Sequence, residues 1–364
     1  MGIPNGLNPL GRTSRPTGDG TEGNPFLIYT PLDLYNIQNN YTAFYKIMND
    51  LDLSSGYPGA PYWKGIGGYS PSTLWFTGGL DGGNNTVYNV KMNTGASCVG
   101  FINYTRGAIL KNINIVCDVN IPNIGQGASI GGLVGEYNAT SGEATISNCH
   151  VSGSVISNNA NAGTGGFIGN LTGYSNSYIV IDKSSFYGTV NGTLNYVGGL
   201  VGYMGSLPLS VTNCWVQGQI TGQKNCGGLL GYSYLTASGV LNNCYARGTV
   251  GYSGTGNNYH GGAVGYTNVG NYSNSYFQGN VNLNVATAGG FSGRTTYTTA
   301  QRLWHASNKT DTNLNATPNA GAYLLGDKTL EELFGPDYAA VWARDPAGII
   351  NDGYPYLIDN PPHA

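Results

Sequence analysis

The phrase Gly198-Gly-Leu-Val-Gly202, followed by Asn213-Cys-Trp-Val-Gln-Gly-Gln-Ile220, sets the pattern of the chain. Copies of the first phrase begin at Gly131, Gly165, Gly198, Gly227, Gly261 and Gly289, at intervals of 28 to 34 residues. Copies of the second phrase follow the first five of these, at Asn148–Val155, Lys183–Val190, Asn213–Ile220, Asn243–Val250 and Asn274–Val281. Two phrases that recur together in one register predict a structural repeat.

Both phrases are typical of short strands. The second phrase alternates with period two, which places one set of side chains inside and the other outside. The segments between the phrases are rich in Asn, Ser, Thr, Gly and Tyr, as turns are. Strands at this spacing, with no helical period between them, predict an all-β fold, a β-helix (β-solenoid) of about six to seven coils.

The composition excludes several classes of protein. The chain has 364 residues, 59 Gly, 28 Tyr, 40% hydrophobic residues and only 9% charged residues. A disordered chain would carry fewer hydrophobic residues and more charge, and the Gly residues lack the G-X-Y period of collagen. A net charge of −3 argues against nucleic acid as a partner. Since no apolar run reaches 18 residues, we expect no membrane insertion.

The repeats divide the chain into four predicted parts. They are an extended arm at 1–19, a capping segment at 20–94, the repeats at 95–294 and a second capping segment at 295–364. Caps are expected because the last coils of a solenoid expose strand edges. Pro31 to Asn39 is predicted to include a short helix, and residues 295–325 are predicted to be loop-like. A second short helix is predicted from an N-cap at Asp327 to a stop at Gly335.

The Gly-Leu-hydrophobic-Gly phrase resembles the GLUG-repeat family over about residues 95 to 294. Gly20–Ile28, Asp50–Leu53 and Phe76–Gly82 resemble the segment that precedes such repeats, and Trp342 with Asp352–Leu357 resembles their closing segment. The resemblance implies a β-helical fold. It also implies an exterior location, since proteins with this repeat are mostly adhesins, surface proteins, parts of secreted enzymes and phage fibres.

The N-terminal sequence leads to an expectation for where the protein is made and where it acts. Met1–Gly6 lacks the basic and apolar regions of a secretory signal, so we expect synthesis in a cytoplasm. Most cellular proteins with this repeat carry an export signal, which favours the phage-like subset here. The expected location is therefore extracellular, as part of a virion or similar particle.

The inward positions of the second phrase include Cys149, Cys214 and Cys244, which are expected to stack in the core. Six Cys residues also allow a disulfide or metal interpretation. Ser184 and Ser275 take the same position in other copies, which favours a small buried side chain. The sequence has no CxxC motif and no His at zinc spacing, so we predict no metal site and no cofactor.

The outward positions predict an aromatic ladder with amides and a guanidinium beside it. The candidate ligand-binding residues are Trp215, Tyr245, Tyr276, Tyr187, Arg247, Gln217, Gln278 and His150. Aromatic rings and polar side chains of this kind suit sugars, and also suit protein contacts. A third interpretation is that the ladder only stabilises the stacked strands. The first phrase is followed by another outward file, Glu136, Asn170, Tyr203, Tyr232, Tyr266 and Arg294.

Catalysis on a polysaccharide would need two carboxylates at a defined separation. The repeats hold only Asp118, Glu136, Glu143 and Asp182, and their positions in the repeat do not coincide. Glu136 and Asp182 are the one pair that could act, because Asp182 lies one coil further on. The sequence therefore favours a protein that is not an enzyme.

The predicted function is recognition or adhesion, by a phage tail fibre or another receptor-binding subunit. Its predicted partners are a host-surface glycan or protein, and a carrier particle or other structural subunits, with a homo-oligomer possible. One alternative is a polysaccharide-degrading β-helix that uses Glu136 and Asp182. Another is a purely structural component of a surface or virion.

Overall fold

A computed structural model describes residues 18–93, 95–122, 127–139, 142–158, 162–173, 177–193, 195–205, 208–234, 239–252, 259–268, 270–282, 288–295, 299–307, 321–322 and 328–362. The predicted arm at 1–19 lies outside the described residues, apart from residues 18 and 19.

The chain forms a β-solenoid of about seven turns, which confirms the predicted fold class. Two seven-stranded parallel sheets arise from the Gly phrases. Sheet 1 consists of Cys98–Val99, Ser129–Gly131, Gly163–Gly165, Asn195–Gly198, Lys224–Gly227, His260–Gly261 and Ala288–Gly289. Sheet 2 consists of Ile102–Arg106, Val134–Ala139, Ile168–Gly173, Val201–Met204, Leu230–Ser233, Val264–Thr267 and Ser292–Thr295.

Sheet 3 is the long face of the solenoid and contains two parallel ladders. Ladder 3a consists of Phe26–Ile28, Phe44–Ile47, Gly79–Asp81, Ile109–Lys111, Gly142–Ser147, Ser177–Asp182, Leu209–Thr212 and Val240–Asn242. Ladder 3b consists of Leu51–Asp52, Thr86–Met92, Asn114–Ile121, His150–Ser157, Ser185–Gly192, Trp215–Gly222, Tyr245–Tyr252 and Gly321–Ala322. The long strands Asn271–Asn282 and Thr299–Ser307 run through both ladders.

The Gly phrase forms the tight arch that joins sheet 1 to sheet 2. A Cβ on Gly132 would lie 2.4 Å from the carbonyl oxygen of Gly166 in the next coil. A Cβ on Gly135 would lie 2.6 Å from the backbone nitrogen of Val99 in the previous coil. Leu133, between them, is fully buried. The glycines are therefore required because neighbouring backbones come too close for any side chain.

The second phrase begins with a residue in the left-handed region. Asn148, Asn213 and Asn243 have φ of 51°, 53° and 52°, a conformation that Asn tolerates better than most residues. Their side chains bond from coil to coil: the Asn243 Nδ2 donates to the Asn213 Oδ1 at 3.2 Å, and the Asn148 Nδ2 donates to the Asn112 Oδ1 at 2.9 Å. This amide ladder fixes the turn that leads into ladder 3b.

The Cys residues at the predicted inward positions are buried. All six Cys residues are free, and burial raises the pKa of the Cys149 thiol to about 12. Thiols with so high a pKa stay protonated and pack as small apolar groups. Among the described residues, no group of three His, Cys, Asp or Glu side chains is arranged to hold a metal ion.

The N-terminal capping segment continues sheet 3 and contains the predicted short helix. Helix α1 (Pro31–Tyr35) is followed by a 3₁₀ turn at Asn36–Asn39. The Thr30 Oγ1 accepts a bond from the Asp33 backbone N–H, and the Asp33 carboxylate accepts one from the Thr30 N–H. This capping box fixes the start of α1.

At the C-terminus, helix α2 (Leu330–Phe334) is present, but its N-cap is Thr329. The predicted cap, Asp327, lies outside the described residues. The Thr329 Oγ1 accepts from the Glu332 backbone N–H at 3.2 Å, and the helix ends at Gly335 with φ of 86°, as predicted. The remaining elements are the antiparallel pair Trp342–Ala343 and Tyr356–Leu357, and 3₁₀ turns at Ser72–Leu74, Pro336–Ala340 and Asn351–Gly353. No helix in the described part of the chain is long and apolar enough to cross a bilayer.

Residues 299–307 differ from the predicted loop. They form a strand that pairs in parallel with Asn271–Asn282 and adds a rung to sheet 3. Leu303 and His305 take the inward positions of this strand and are buried. A His at a core position conceals the alternation of polar and apolar residues, which explains why the pattern was missed.

Two buried histidines should make the stability pH-dependent. Burial lowers the pKa of His260 and of His305 to about 4. The unfolded chain takes up these protons near an ordinary His pKa of about 6.5, whereas the folded chain resists them down to about 4. The free energy of unfolding should therefore fall by about 3 kcal/mol per histidine as the pH drops from about 6.5 to about 4. Denaturant unfolding at a series of pH values measures this.

The fold supplies a matched control for this pH dependence. Val197 takes the position equivalent to His260 two coils earlier in sheet 1, and Phe277 is the residue paired with His305 in the adjacent coil. A His260→Val/His305→Phe variant should keep the fold and lose most of the slope between pH 6.5 and 4. An equal slope in both proteins would show that other groups cause it.

Candidate binding groove

The predicted aromatic ladder exists on ladder 3b. Trp215, Tyr245 and Tyr276 are paired in adjacent coils. The ring centroids of Trp215 and Tyr245 lie 6.1 Å apart at an interplanar angle of 12°, and those of Tyr245 and Tyr276 lie 5.0 Å apart at 2°. The rings therefore stack on one another from coil to coil.

The prediction that these rings face solvent is wrong. Trp215 is 1% exposed, and Tyr245 and Tyr276 are 0% exposed. They form a second hydrophobic cluster with Trp304, Leu333, Phe334, Trp342 and Leu357, all from the C-terminal part of the chain. The residues 328–362, which we call the C-terminal clasp, lie across the ladder and cover it.

Aromatic packing holds the clasp on the ladder. Trp342 stacks on Phe334 with centroids 4.2 Å apart and rings within 8° of parallel. The same indole lies 6.1 Å from the Tyr245 ring and 5.9 Å from the Tyr276 ring. Burial of side chains this large supplies most of the attraction between the clasp and the sheet.

Hydrogen bonds fix the position of the clasp. The Trp215 Nε1 donates to the Asn360 Oδ1 at 3.0 Å, and the Asn360 Nδ2 donates to the Asn213 carbonyl oxygen at 2.9 Å. The Tyr276 hydroxyl donates to the Pro355 carbonyl oxygen at 2.5 Å. At the edge, Lys183 pairs with Asp359 at 2.9 Å. The indole N–H of Trp215 and the hydroxyl of Tyr276 thus have partners within the chain.

Arg247 also belongs to the clasp contact. It is 8% exposed and donates to the Asn351 Oδ1, to the Asp352 Oδ2 at 2.7 Å and to the Gln278 Oε1 at 2.9 Å. Its guanidinium lies 4.9 Å from the centroid of the Tyr354 ring. Arg247, predicted to bind a ligand, is therefore occupied in holding the clasp, and Gln278, also predicted to bind one, is bonded to Arg247.

Below the clasp, ladder 3b stays open as a groove. One part, of about 260 Å³, is lined by residues that include Tyr88, His150, Ser152 and Tyr187. It adjoins a second part of about 490 Å³, since Ser152 and Tyr187 line both. The walls of the second part are formed by Gln217 and Arg247 of the sheet and Ile349, Asn351, Asp352 and Pro362 of the clasp.

Five of the predicted residues line this groove: Trp215 and Arg247, which also bond to the clasp, and Tyr187, Gln217 and His150. Tyr187 is 53% exposed and stands where the two parts of the groove meet. Gln217 is half-buried beside the clasp. The His150 ring lies with its Nδ1 2.8 Å from the Ser185 Oγ and its Nε2 3.2 Å from the Asn148 Oδ1. Both ring nitrogens have partners, so His150 forms part of the wall.

The predicted acidic pair does not line the groove. Glu136 lies in sheet 2, where the Ser129 Oγ donates to its carboxylate at 3.2 Å and burial raises its pKa. Asp182 lies in ladder 3a, where it accepts from the Thr212 Oγ1 and the Asn213 Nδ2, each at 2.8 Å. The two carboxylates are in different sheets and each serves its own local contacts.

The comparisons with known proteins bear on the fold. No family profile matches the chain. Halomucin of Haloquadratum walsbyi is 31% identical over 179 residues, which is 46% of this chain and 2% of halomucin. The crystal structure of a putative immunoglobulin A1 protease from Bacteroides ovatus is similar with a TM-score of 0.51 and 18% identity, over 94% of each chain. That likeness extends over nearly the whole chain and concerns the fold alone.

Proposed function

We propose that this protein is a non-enzymatic recognition protein that holds a surface glycan in the groove of ladder 3b. In this proposal it is an adhesin or a receptor-binding subunit of a phage tail fibre or similar particle, and it acts outside the cell. The GLUG-type phrases and the similarity to halomucin agree with an exterior role.

The exposed ring of Tyr187 is the observation that carries the proposal. Half of this side chain is open to solvent, on the floor of a groove formed by a stiff sheet. Sugar rings have apolar C–H faces that pack on aromatic rings, and hydroxyls and amides bond their hydroxyl groups. Ser152 and Gln217 supply such groups next to Tyr187. A rigid site loses little conformational freedom when it binds.

The groove, as far as the described residues line it, lacks the pair of carboxylates typical of a glycoside hydrolase. Among its described lining residues, Asp352 is the only carboxylate, and it pairs with Arg247 at 2.7 Å. Hydrolysis of a glycosidic bond ordinarily needs two carboxylates, one of them protonated. A binding role therefore fits the groove better than a cutting role.

A glycan array tests this proposal with the intact chain and with a Tyr187→Ala variant. Loss of one stacking ring should weaken binding about tenfold, with an unchanged circular dichroism spectrum. Tyr178→Ala is the matched control, since Tyr178 is 37% exposed on ladder 3a and does not line the groove. If the intact chain binds no glycan, or if both variants bind glycan equally more weakly than the intact chain, the groove is not a glycan site. Binding only to immobilised host proteins would indicate a protein receptor instead.

A further inference from the structure

A second aromatic surface lies on the opposite side of the repeat, along the outer file of sheet 2. Tyr203, Tyr232 and Tyr266 are paired in three successive coils. The centroids of Tyr203 and Tyr232 lie 5.5 Å apart and those of Tyr232 and Tyr266 lie 4.7 Å apart, each pair within 6° of parallel. All three side chains are only partly buried. We call them, together with Tyr196, Tyr259 and Arg294, the tyrosine face.

Tyr196, in sheet 1, and Tyr259, just before the sheet 1 strand His260–Gly261, are the flanking rings of the tyrosine face. Tyr196 lies 5.0 Å from the Tyr203 ring and 4.9 Å from the Tyr232 ring. Tyr259 lies 5.4 Å from the Tyr266 ring. Residues of the clasp are not among these contacts, so this face is separate from the groove of ladder 3b.

The stacked rings offer hydroxyl groups to a ligand. Because the rings of the file stack on each other, each covers the face of its neighbour and leaves its edge outward. The hydroxyls of Tyr203 and Tyr232 bond to no other described residue. Burial and the neighbouring Tyr266 raise the pKa of Tyr232 to about 12, so its hydroxyl stays a donor at neutral pH. A row of donors one coil apart suits a chain-like ligand rich in acceptors.

The charge of this side of the solenoid favours an anion. The fourteen strands of sheets 1 and 2 carry Arg106, Lys224 and Arg294 but only one acid, Glu136, although the whole chain has a net charge of −3. Arg294 is exposed at the end of the tyrosine file, and its Nη1 donates to the Tyr259 hydroxyl at 2.6 Å. Lys224 is exposed in the strand paired with the one that carries Tyr196.

We propose that the tyrosine face binds a strand of an anionic polysaccharide that runs along the solenoid. Carboxylate or sulfate groups would pair with Arg294 and Lys224, since a charge-assisted bond is about twice as strong as a neutral one. The phenol hydroxyls would donate to the same groups or to ring hydroxyls. This site does not depend on the groove, because its residues lie on other sheets.

The experiment uses polygalacturonate as the anionic probe and dextran as the neutral one, with the full chain. We expect the protein to bind polygalacturonate more tightly than dextran, and the affinity to fall with added NaCl because salt screens exposed charges. An Arg294→Gln/Lys224→Gln variant should lose about tenfold in affinity. The control is Lys91→Gln, which removes an exposed charge from ladder 3b and should bind as the parent does.

A second variant separates binding from stability. Tyr203→Phe/Tyr232→Phe/Tyr266→Phe keeps the stacked rings and removes the hydroxyls, so it should fold normally and bind polygalacturonate more weakly. Equal binding by the parent, this variant and the charge variant would overturn the proposal and leave the tyrosines a stabilising role only. Equal retention of dextran and polygalacturonate would also overturn it. Tyr178→Ala changes an exposed ring on ladder 3a, outside both the groove and the tyrosine face, and should leave polygalacturonate binding unchanged.

Discussion

A Trp342→Ala variant is expected to lower the free energy of unfolding by about 3–5 kcal/mol, as deletions of buried large aromatic side chains do. Trp342 is 2% exposed and contacts Phe334, Tyr245 and Tyr276 at once. Its loss removes the central ring between the clasp and ladder 3b. Denaturant unfolding measures the change, and hydrogen exchange should show the clasp opening before the solenoid does.

The control for this variant lies in the same segment. Ile349 is 75% exposed, so Ile349→Ala should change the free energy of unfolding by less than about 0.5 kcal/mol. If Trp342→Ala and Ile349→Ala had similar small effects, the clasp would contribute little to stability. The aromatic cluster would then not be what holds it.

A Gly188→Ala variant, which adds a single methyl group, is expected to lower the free energy of unfolding by about 2–5 kcal/mol. Gly188 has φ of 142°, a conformation that L side chains rarely adopt. A Cβ there would lie 1.9 Å from the carbonyl oxygen of Gly153 in the previous coil. The methyl group can be accommodated only if the two coils move apart, which would weaken their parallel pairing. The midpoint of thermal unfolding reports this loss.

Gly23 provides the comparison for Gly188. A Cβ on Gly23 would meet nothing within 4 Å, so Gly23→Ala should leave the stability within about 0.5 kcal/mol of the parent. Gly153, Gly218, Gly248 and Gly279 occupy the same column in other coils, each with positive φ. A small effect of Gly188→Ala would mean that the coils tolerate a wider spacing at this column than their close approach indicates.

The clasp changes how the outer face of ladder 3b is understood. The row of aromatic residues on ladder 3b resembles an exposed ligand-binding surface. The clasp, however, covers the coils that carry most of these rings. The lower rungs stay open, with Tyr187 and His150, so the clasp also sets the length of the groove. The part of this face that stays open is thus smaller and more polar than an exposed Trp–Tyr ladder would be.

Most of the fold could be predicted because its signals are local and repeated. The period-two alternation of the second phrase placed Cys149, Cys214 and Cys244 in the core, where they lie. The sequence conceals the strand at Thr299–Ser307 because His305 occupies an inward position. It also presents Asp327 as an N-cap of α2, although Thr329 completes the capping box.

The sequence by itself determined the solenoid, since each coil carries its own Gly arch, its Asn turn and its inward apolar residues. Only the tertiary structure decided which outward residues remain available. Trp215 meets Asn360 at a separation of 145 residues, and no local pattern specifies such a contact. An aromatic file has the same sequence pattern whether a ligand, a partner or a distant part of the same chain covers it. The physical reason is that burial depends on the sum of contacts around a side chain, whereas periodicity reports only the face on which that side chain lies.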